Sequence, residues 1–239
     1  MDDQQPLVSI IIPVINEEDS ITSCIGHINS LDHNESFEII VVDGHEHATT
    51  IKTIRHPRVI KITSQCGRAV QMNTGAQHAR GNMLLFLHAD TRMPPESWSF
   101  IESVSRDRDV IGGAFDLCID SPKNIFHLIS RVASVRSRIT RVPYGDQAIF
   151  IRKDYFFSIG CFASIPIMED VELMRRIKKN KGRITISHYP VTTSARRWEQ
   201  EGIIHATVRN WFISFLFWCG APPSFLARLY RTKKPLHAS

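Results

Sequence analysis

The sequence predicts an α/β fold, with a mostly parallel central sheet flanked by helices, and three observations lead to this prediction. Apolar runs without alternation, such as residues 83–87, are typical of strands that are buried on both faces. Such runs alternate four times with helical patterns, which favours right-handed β–α–β crossovers. Acidic residues follow three of the runs, at the strand ends where open α/β sheets bind their ligands.

The four strand–helix repeats occupy residues 7–110. The predicted strands cover residues 7–14, 37–42, 58–62 and 83–87. Asp19 and Ser20 both suit a helix N-cap, because their side chains can accept a hydrogen bond from the free N–H groups of the first turn. The predicted helices run from one of these residues to about Leu31, over residues 49–55 and 67–79, and from just after Pro94-Pro95.

A different pattern follows after about Ile111. Strands are predicted at residues 113–119 and 147–151, helices near residues 124–138 and 169–179, and short strands up to Thr193. No Gly/Ser-rich linker separates this half from the first one. A single domain over residues 1–200 is therefore expected.

The last part of the chain, residues 201–239, is predicted to be a helical extension that is both apolar and basic. Residues 211–219 are strongly apolar and aromatic, but a membrane-spanning helix needs about 20 such residues. Two hypotheses remain open for residues 203–234: an amphipathic helix that lies on an anionic membrane, or a helix that packs on the sheet or on the second subunit of a homodimer. The flanking cations are Arg209, Arg228, Arg231, Lys233 and Lys234.

The bulk composition excludes several classes of protein. The net charge of +5, from 29 Lys and Arg against 24 Asp and Glu, suits an anionic ligand or membrane, but no nucleic-acid-binding motif is present. The five cysteines contain no CxxC pair, which argues against a disulfide framework or a structural zinc site. The first residues do not resemble a signal peptide. A cytoplasmic protein is expected, either free or on the inner face of the membrane.

Three acids stand at three predicted strand ends: Glu17, Asp43 and Asp90. No GxxxxGK[ST] or GxGxxG motif is present, so backbone N–H groups of a glycine loop are not the expected phosphate ligands. Carboxylates at this edge favour Mg²⁺ or Mn²⁺, whose coordination shell a phosphate can complete. Simpler roles are also open, because Asp43 beside Gly44 suits a turn and Asp90 suits a helix cap.

Four segments, in this order, carry a resemblance to a known family: VSIIIPVINEE from Val8, IIVVDG from Ile39, GRAVQMNTGA from Gly67 and LLFLHADT from Leu84. Over residues 7–197 the chain resembles the family 2 glycosyltransferases, which have the GT-A fold. Within that family it most resembles a small bacterial subgroup associated with radical-SAM enzymes and arsenosugar biosynthesis, or with diaponeurosporenoate-type glycosyltransferases.

The resemblance implies a nucleotide-diphospho-sugar donor, a divalent cation (Mg²⁺ or Mn²⁺) and a small or lipid-like acceptor. It makes residues 7–110 the nucleotide-sugar half and residues 111–200 the acceptor half. Asp90 would hold the metal, and His88 takes the place of the first carboxylate of the family's metal motif. By the same resemblance Asp43 would hold the base of the nucleotide. The other residues implied to bind the donor are Pro13, Asn16, Glu17, Arg68, Gln71 and Asn73.

Two later segments complete the predicted site. Glu169-Asp170 resembles the family's Glu-Asp motif, in which the Asp is the catalytic base, and inverting transfer needs one carboxylate to accept the acceptor's proton. Arg197 and Trp198 resemble a motif near the diphosphate and the acceptor. A guanidinium matches a diphosphate in geometry, and an indole ring suits the face of a sugar.

Two other functions remain open alongside an inverting glycosyltransferase. A nucleotidyltransferase would usually have a basic Gly-rich loop after the first strand, and Asn16 and Glu17 stand there instead. The second alternative is a GT-A-like module that binds a nucleotide sugar without transferring it. His88 in place of an acid, and residues 45–47 (His-Glu-His) in place of the subgroup's Gly/Ser-rich turn, favour this alternative.

Overall fold

The computed structural model describes residues 5–31 and 37–230, and in them one eight-stranded sheet carries ten α-helices. The strands are β1 (Val8–Val14), β2 (Phe37–Asp43), β3 (Val59–Thr63), β4 (Met83–Phe86), β5 (Thr91–Arg92), β6 (Val110–Asp120), β7 (Phe150–Arg152) and β8 (Arg183–Ser194). The helices are α1 (Glu18–Ser30), α2 (Thr49–Thr53), α3 (Arg68–His78), α4 (Ser97–Arg106), α5 (Asn124–Thr140), α6 (Lys153–Ser158), α7 (Glu169–Lys179), α8 (Arg196–Glu201), α9 (Ile203–Trp218) and α10 (Pro223–Tyr230).

The strand order is β3-β2-β1-β4-β7-β6-β8-β5. The first four strands are mutually parallel, and β6 is parallel to β8, whereas β7 and β5 run antiparallel to their neighbours. Val14 pairs with Asp43 in the ladder between β1 and β2, so these two strands end at the same level. The predicted, mostly parallel sheet is therefore confirmed. Its strand-end residues lie at one edge, as the carboxyl ends of parallel strands do.

Both faces of the sheet are covered by helices, which is why the strands show continuous apolar runs. Along β1, Ile10 and Ile12 point into one hydrophobic core and Ile11 into the other, because successive strand residues face opposite sides. Helices α1, α4 and α5 contribute to the first core, and helices α3, α6, α7, α9 and α10 contribute to the second. The predicted helix and strand alternation of residues 7–110 is thus confirmed.

The structure differs from the prediction in the second half of the chain. The strand predicted at residues 147–151 begins only at Phe150, because Gly145–Gln147 form a 3₁₀ turn. Arg183–Ser194 form one long strand with an irregularity opposite Phe115 and Asp116, where separate short strands were expected. Thr91–Arg92 form a two-residue strand, which is too short to leave a periodic signal in the sequence.

The extension after residue 200 consists of α8, α9 and α10, with Pro223 at the first position of α10. Proline is tolerated there because the N–H that it lacks would have no partner within the helix. Among the described residues, no helix has the length and apolarity required to cross a membrane. Arg231, Lys233 and Lys234, three of the cations noted in the sequence, lie outside the described residues.

Gly75 lets α3 pack closely on the sheet. A Cβ atom at this position would lie 2.5 Å from Cγ2 of Ile11 and 3.1 Å from Cγ2 of Val42, both of which are fully buried. We expect Gly75→Val to lower the free energy of unfolding by about 2–3 kcal/mol, because the added methyl groups overpack the core. Urea unfolding of this variant, with the exposed Gln77→Ala on the same helix as control, measures the effect.

Candidate active site

Two neighbouring cavities open at the strand-end edge of the sheet. The first cavity, of about 600 Å³, lies against the end of β1. The second cavity, of about 390 Å³, lies between the start of α7, the end of β8 and the C-terminal helices. Four residues line both cavities: Arg68, His88, Asp90 and Arg197. These residues join the two cavities into one candidate site.

The structure brings together most of the residues predicted from the sequence. Pro13, Asn16, Glu17 and Gln71 line the first cavity only. Glu169, Asp170 and Trp198 line the second cavity only. Asp43 and Asn73 line neither of them.

The carboxylate of Asp43 is fully buried and is used by the backbone. Its Oδ1 accepts a hydrogen bond from the N–H of His45 at 2.9 Å. Its Oδ2 accepts from the N–H groups of Thr50 at 2.9 Å and Ile51 at 3.2 Å, at the start of α2. These bonds hold the turn after β2, which is the simpler of its two predicted roles. The role in base binding stays a prediction.

Two amide side chains of α3 hold neighbouring segments in place. Nε2 of Gln71 donates to the carbonyl oxygens of Val14 at 2.8 Å and Val42 at 2.9 Å, so it ties together the ends of β1 and β2. The amide of Asn73 bonds both the N–H and the C=O of Phe162, at 3.0 and 2.9 Å. Asn73 therefore acts on the loop that precedes α7, at a distance from both cavities.

Arg68 and His88 are in direct contact through Nη2 of the guanidinium and Nε2 of the imidazole. Burial holds the pKa of His88 well below its usual range, and the charges of Arg68 and Arg197 lower it further. The ring is therefore neutral at pH 7. Its Nε2 acts as the acceptor, because a guanidinium can only donate. A cation that used this nitrogen would have to displace Arg68.

Asp90 is the predicted metal ligand. Burial raises its pKa, the charge of Glu17 raises it further, and Arg196 opposes the shift. Arg196 in turn pairs with Glu17, with Nη2 of the arginine 3.1 Å from Oε2 of the acid. Two carboxylates that repel each other at a strand end fit a divalent cation, whose charge would compensate both.

The small number of acidic side chains at the site limits how many protein ligands a cation could have there. Within residues 5–31 and 37–230, no cluster of three or more His, Cys, Asp or Glu side chains could hold a metal ion. Asp90 and Glu17 therefore suit a cation that is bound through one or two carboxylates and completed by substrate phosphate oxygens and water. Mg²⁺ and Mn²⁺ bind in this manner.

The first turn of α7 places two acids at the second cavity. Oδ2 of Asp170 accepts a hydrogen bond from the N–H of Gly145 at 2.6 Å, and its Oδ1 accepts from the N–H of Val171 at 2.8 Å. Glu169 is only 5% exposed, and its Oε1 lies 3.3 Å from Nε of Arg68. Burial raises the pKa of Glu169, with Arg68 opposing and Asp170 adding to the shift. The backbone N–H groups thus fix the orientation of Asp170, and Glu169 holds Arg68.

Asp146, which the sequence did not single out as a site residue, also lines the second cavity. Burial raises its pKa, the charge of Arg136 lowers it, and the charge of Asp170 raises it. Residues 144–150 resemble the acceptor-side strand of the subgroup, and this resemblance was the signal in the sequence that pointed to Asp146. The 3₁₀ turn that carries the acid to Asp170 could not be foreseen from the sequence.

Tyr230 is the second site residue that the sequence did not indicate. It lines the second cavity, and the guanidinium carbons of Arg197 and Arg209 lie 4.5 and 4.8 Å from the centre of its ring. Glu201 pairs with both arginines. The end of α10 therefore closes one wall of the site through contacts between residues far apart in the chain.

Gly145 leaves room for Arg68. A Cβ atom here would lie 2.0 Å from Nη2 of Arg68 and 3.2 Å from Oδ2 of Asp170. We expect Gly145→Ala to displace the guanidinium, since it is the end of a flexible side chain, and to lower kcat/KM for the sugar transfer that the sequence resemblance implies about 10²-fold. The unfolding midpoint should change little. Arg68→Lys, which keeps the charge but loses the planar fork, serves as the comparison, and unchanged kinetics in both variants would exclude a role for this contact.

The fold and the site together have the arrangement of a GT-A fold, with carboxylates and arginines around two joined cavities at the carboxyl edge of a mostly parallel sheet. The profile of the family described as Glycosyl transferase family 2 matches residues 9–167, and the chain belongs to this family.

Curated relatives agree with this family. The chain is 28% identical over 200 residues to the undecaprenyl-phosphate 4-deoxy-4-formamido-L-arabinose transferase of Aeromonas hydrophila, a match that covers 76% of this chain and 61% of the relative. It is 27% identical over 114 residues to the dolichol-phosphate mannosyltransferase of Pyrococcus furiosus, with 45% and 32% covered. The chain thus spans about three fifths or less of the length of these two relatives.

Solved structures show the same fold. The mannosyltransferase PcManGT from Pyrobaculum calidifontis, in complex with GDP-Man and Mn²⁺, has a TM-score of 0.56 and 20% identity, with 80% of this chain and 57% of that chain covered. TarS of S. aureus has a TM-score of 0.59 and 16% identity, with 78% and 36% covered. The predicted GT-A fold is confirmed. The narrower resemblance to a radical-SAM or arsenosugar subgroup stays a prediction.

Proposed function

We propose that this protein transfers a sugar from a nucleotide-diphospho-sugar to a small or lipid-like acceptor, with inversion at the anomeric carbon. The observation that carries the proposal is the pair of joined cavities: Arg68, His88, Asp90 and Arg197 line both, and only the second contains the acids of α7. A donor in the first cavity would present its diphosphate at the shared residues. An acceptor in the second would meet Asp170.

The nucleoside belongs in the first cavity under this proposal. Pro13, Asn16 and Glu17 form the wall after β1, and Gln71 holds the ends of β1 and β2 at a fixed separation. Asp43 supports the adjacent turn from behind, through its three backbone N–H bonds. The proposed domain division follows: residues 7–110 bind the nucleotide sugar, residues 111–200 complete the acceptor side, and residues 201–239 form the extension.

Arg68 and Arg197 are proposed to bind the leaving diphosphate, because planar guanidinium groups match phosphate oxygens in geometry. Neutral His88 accepts a hydrogen bond from Arg68 and so orients it without adding a competing charge. Asp90 and Glu17 would hold Mg²⁺ or Mn²⁺. When bound, such a cation supplies Lewis-acid stabilisation of the charge that develops on the diphosphate.

Asp170 is proposed as the catalytic base. Its carboxylate is fixed by the N–H groups of Gly145 and Val171, and it lines the second cavity, where it can take the proton from an acceptor hydroxyl as that oxygen attacks the anomeric carbon. Glu169, one residue before it, is committed to Arg68. Trp198 offers an aromatic face to a sugar or to the acceptor.

A lipid-like acceptor is supported by two findings. The relatives named above are undecaprenyl-phosphate and dolichol-phosphate transferases. In the structure, α9 and α10 line the second cavity with Ile213 and Tyr230, and they expose an apolar surface that includes Trp211 and Phe215. Peripheral contact of residues 203–230 with an anionic membrane is therefore proposed, at the cytoplasmic face. Pairing of the same surface in a homodimer is the competing hypothesis.

The contact between Arg68 and His88 favours one second candidate, a nucleotide-sugar-binding module without transfer activity. His88 stands where the family has an acid, and Nε2 of this histidine already accepts a hydrogen bond from Arg68. A metal site that needed both positions would then be incomplete. A nucleotidyltransferase finds no comparable support in the geometry.

A ligand screen followed by a transfer assay tests the proposal. Saturation with a nucleotide diphosphate or its sugar at about 100 times Kd, with Mn²⁺ present, is expected to raise the unfolding midpoint by roughly 5–10 °C. Release of the nucleotide diphosphate from the stabilising donor in the presence of a polyprenyl phosphate then separates the enzyme from the binding module. Stabilisation without turnover supports the module, and no stabilisation by any donor contradicts both.

A further inference from the structure

Helix α5 is amphipathic in the opposite sense to a core helix. The face that it buries carries Phe126 and three serines, Ser130, Ser134 and Ser137. The face that it exposes is aliphatic, with the side chains between 40% and 77% accessible, and we call it the α5 stripe: Ile125, Leu128, Val132, Val135 and Ile139.

Backbone hydrogen bonding explains why the serines are inside. Strand β6 extends beyond its short partner β7, which pairs only with Gly112 and Gly113. The hydroxyl of Ser134 accepts a hydrogen bond from the N–H of Leu117 at 3.0 Å, and that of Ser130 accepts from the N–H of Ile119 at 3.1 Å. Buried backbone groups need partners. The serine face is therefore committed to the sheet edge, and the aliphatic face is left outward.

The α5 stripe is continuous along the helix. Its members are spaced by three and four residues, so they lie on one side of the helix over a length of about 21 Å. Singly exposed apolar side chains are ordinary, but a contiguous row of five marks a surface that contacts another apolar phase.

The charged side chains of the segment that carries the α5 stripe are all basic. Residues 121–145 contain no Asp or Glu and carry five cations: Lys123, Arg131, Arg136, Arg138 and Arg141. Arg131 is exposed on the helix itself, whereas Arg138 pairs with Asp116 and Lys123 pairs with Glu199. A helix with an apolar face and a basic flank is typical of peptides that lie in the interface of an anionic membrane.

We infer that α5 is a membrane-binding helix, whose aliphatic stripe enters the surface of an anionic lipid bilayer. A second copy of the chain is a poorer occupant, because pairing two α5 helices would bring Arg131 and its basic neighbours together with no acid in either segment. Residues 231–239 are equally unsuited to cover the α5 stripe, since they contain Arg231, Lys233 and Lys234 and no acid. Anionic headgroups supply the charge that the segment lacks.

The position of α5 connects this surface to the acceptor side of the site. The ring of Phe126 packs edge-on against Trp198, with centroids 6.2 Å apart, and the guanidinium carbon of Arg136 lies 3.4 Å from the ring centre of Tyr144. Trp198 and Tyr144 both line the second cavity. A bilayer bound to α5 would thus place headgroups beside the cavity proposed for a lipid-like acceptor, and this last consequence rests on the proposed function.

Sedimentation with vesicles tests the inference. The full chain is mixed with vesicles of phosphatidylcholine, with and without phosphatidylglycerol. We expect binding only to the anionic vesicles, and about a tenfold or greater loss of affinity in each of Leu128→Glu and Ile139→Glu. Gln77→Glu, an exposed position of α3 on the opposite face of the sheet, makes the same change in charge and should alter binding less than about twofold.

Three further measurements make the test decisive. Wild-type vesicle binding by both α5 variants, with Phe215→Glu of α9 alone abolishing it, would overturn the inference. A dimer that both α5 variants convert to monomer, with vesicle binding unchanged, would assign the stripe to a second copy. Donor-induced thermal stabilisation should be the same in all variants. Its absence in the wild type would contradict the proposed function while leaving the membrane result intact.

Discussion

Asp170→Asn is expected to lower the rate of sugar transfer by about 10²–10⁴-fold while leaving donor binding intact. The amide has nearly the shape of the carboxylate but cannot accept the acceptor's proton. Asp170 lines only the second cavity, so the residues around a donor in the first cavity remain in place. Steady-state kinetics with a lipid-like acceptor that presents a hydroxyl group, together with the thermal shift induced by the donor, separates the two effects.

The neighbouring acids provide matched controls for this variant. Glu172→Gln, two residues further along α7, removes an acid that pairs with Arg176 outside the two cavities, and it should change the rate of transfer less than about threefold. Asp146→Asn tests the other acid of the second cavity. Full activity in Asp170→Asn together with loss of activity in Asp146→Asn would move the base to Asp146, which lies on the same cavity wall.

Asp90→Ala is expected to remove the dependence of donor binding on Mn²⁺ and to lower the transfer rate by roughly 10²-fold or more, which corresponds to about 3 kcal/mol of lost charge stabilisation. The readout that does not depend on turnover is the thermal shift caused by GDP or UDP with and without Mn²⁺. In the wild type the metal should increase this shift, and in the variant it should not. A variant that keeps the metal effect would place the cation elsewhere.

The partly buried position of Asp90 also predicts a pH effect in the free protein. Burial and the charge of Glu17 raise its pKa, so the folded protein binds this proton more tightly than the unfolded chain does. The free energy of unfolding therefore falls as the pH rises from the pKa of Asp90 in the unfolded chain to its higher pKa in the folded protein. We expect Asp90→Asn to be more stable than the wild type at pH 7 without metal, and the difference to disappear below the ordinary Asp value of 3.8.

The same pair of proteins should reverse its order when metal and nucleotide are added. Saturating Mn²⁺ with a nucleotide diphosphate stabilises only the protein that binds them, so the wild type should then unfold at the higher temperature. Asp19→Asn, an exposed acid of α1, is the control for the loss of one negative charge. Equal behaviour of the two substitutions in both conditions would contradict the assignment of Asp90 as metal ligand.

The strands and helices of the first half could be predicted from the sequence because their signals are local. Strands β1, β2 and β4 are buried on both faces, and burial on both faces leaves an uninterrupted apolar run. The three acids at their ends were recognisable for the same reason. Their roles were not recognisable, since the Asp43 carboxylate accepts hydrogen bonds from three backbone N–H groups in the structure and Asp90 faces the cavities.

The extension shows where local signals are ambiguous. Its apolarity predicted a helix that contacts either the sheet or a membrane. In the structure, α9 has one apolar face that is buried and another apolar face that is exposed. Ala206, Ile213 and Phe217 are buried, the last two in the second core, whereas Trp211 and Phe215 are more than half exposed. An apolar residue on every side of a helix does not reveal which side the fold will cover, because coverage depends on the neighbouring elements.

By itself, the sequence determined the α/β class, the alternation of elements in the first half, and a set of acids and arginines at strand ends, all of which depend on residues close together in the chain. The tertiary structure alone decided the strand order with antiparallel β7, the contact of Arg68 with His88, the place of Tyr230 between two arginines, and the outward face of α5. These contacts join residues that are far apart in the chain. They form only when the sheet order and the packing of helices bring those residues together, and no local periodicity encodes that.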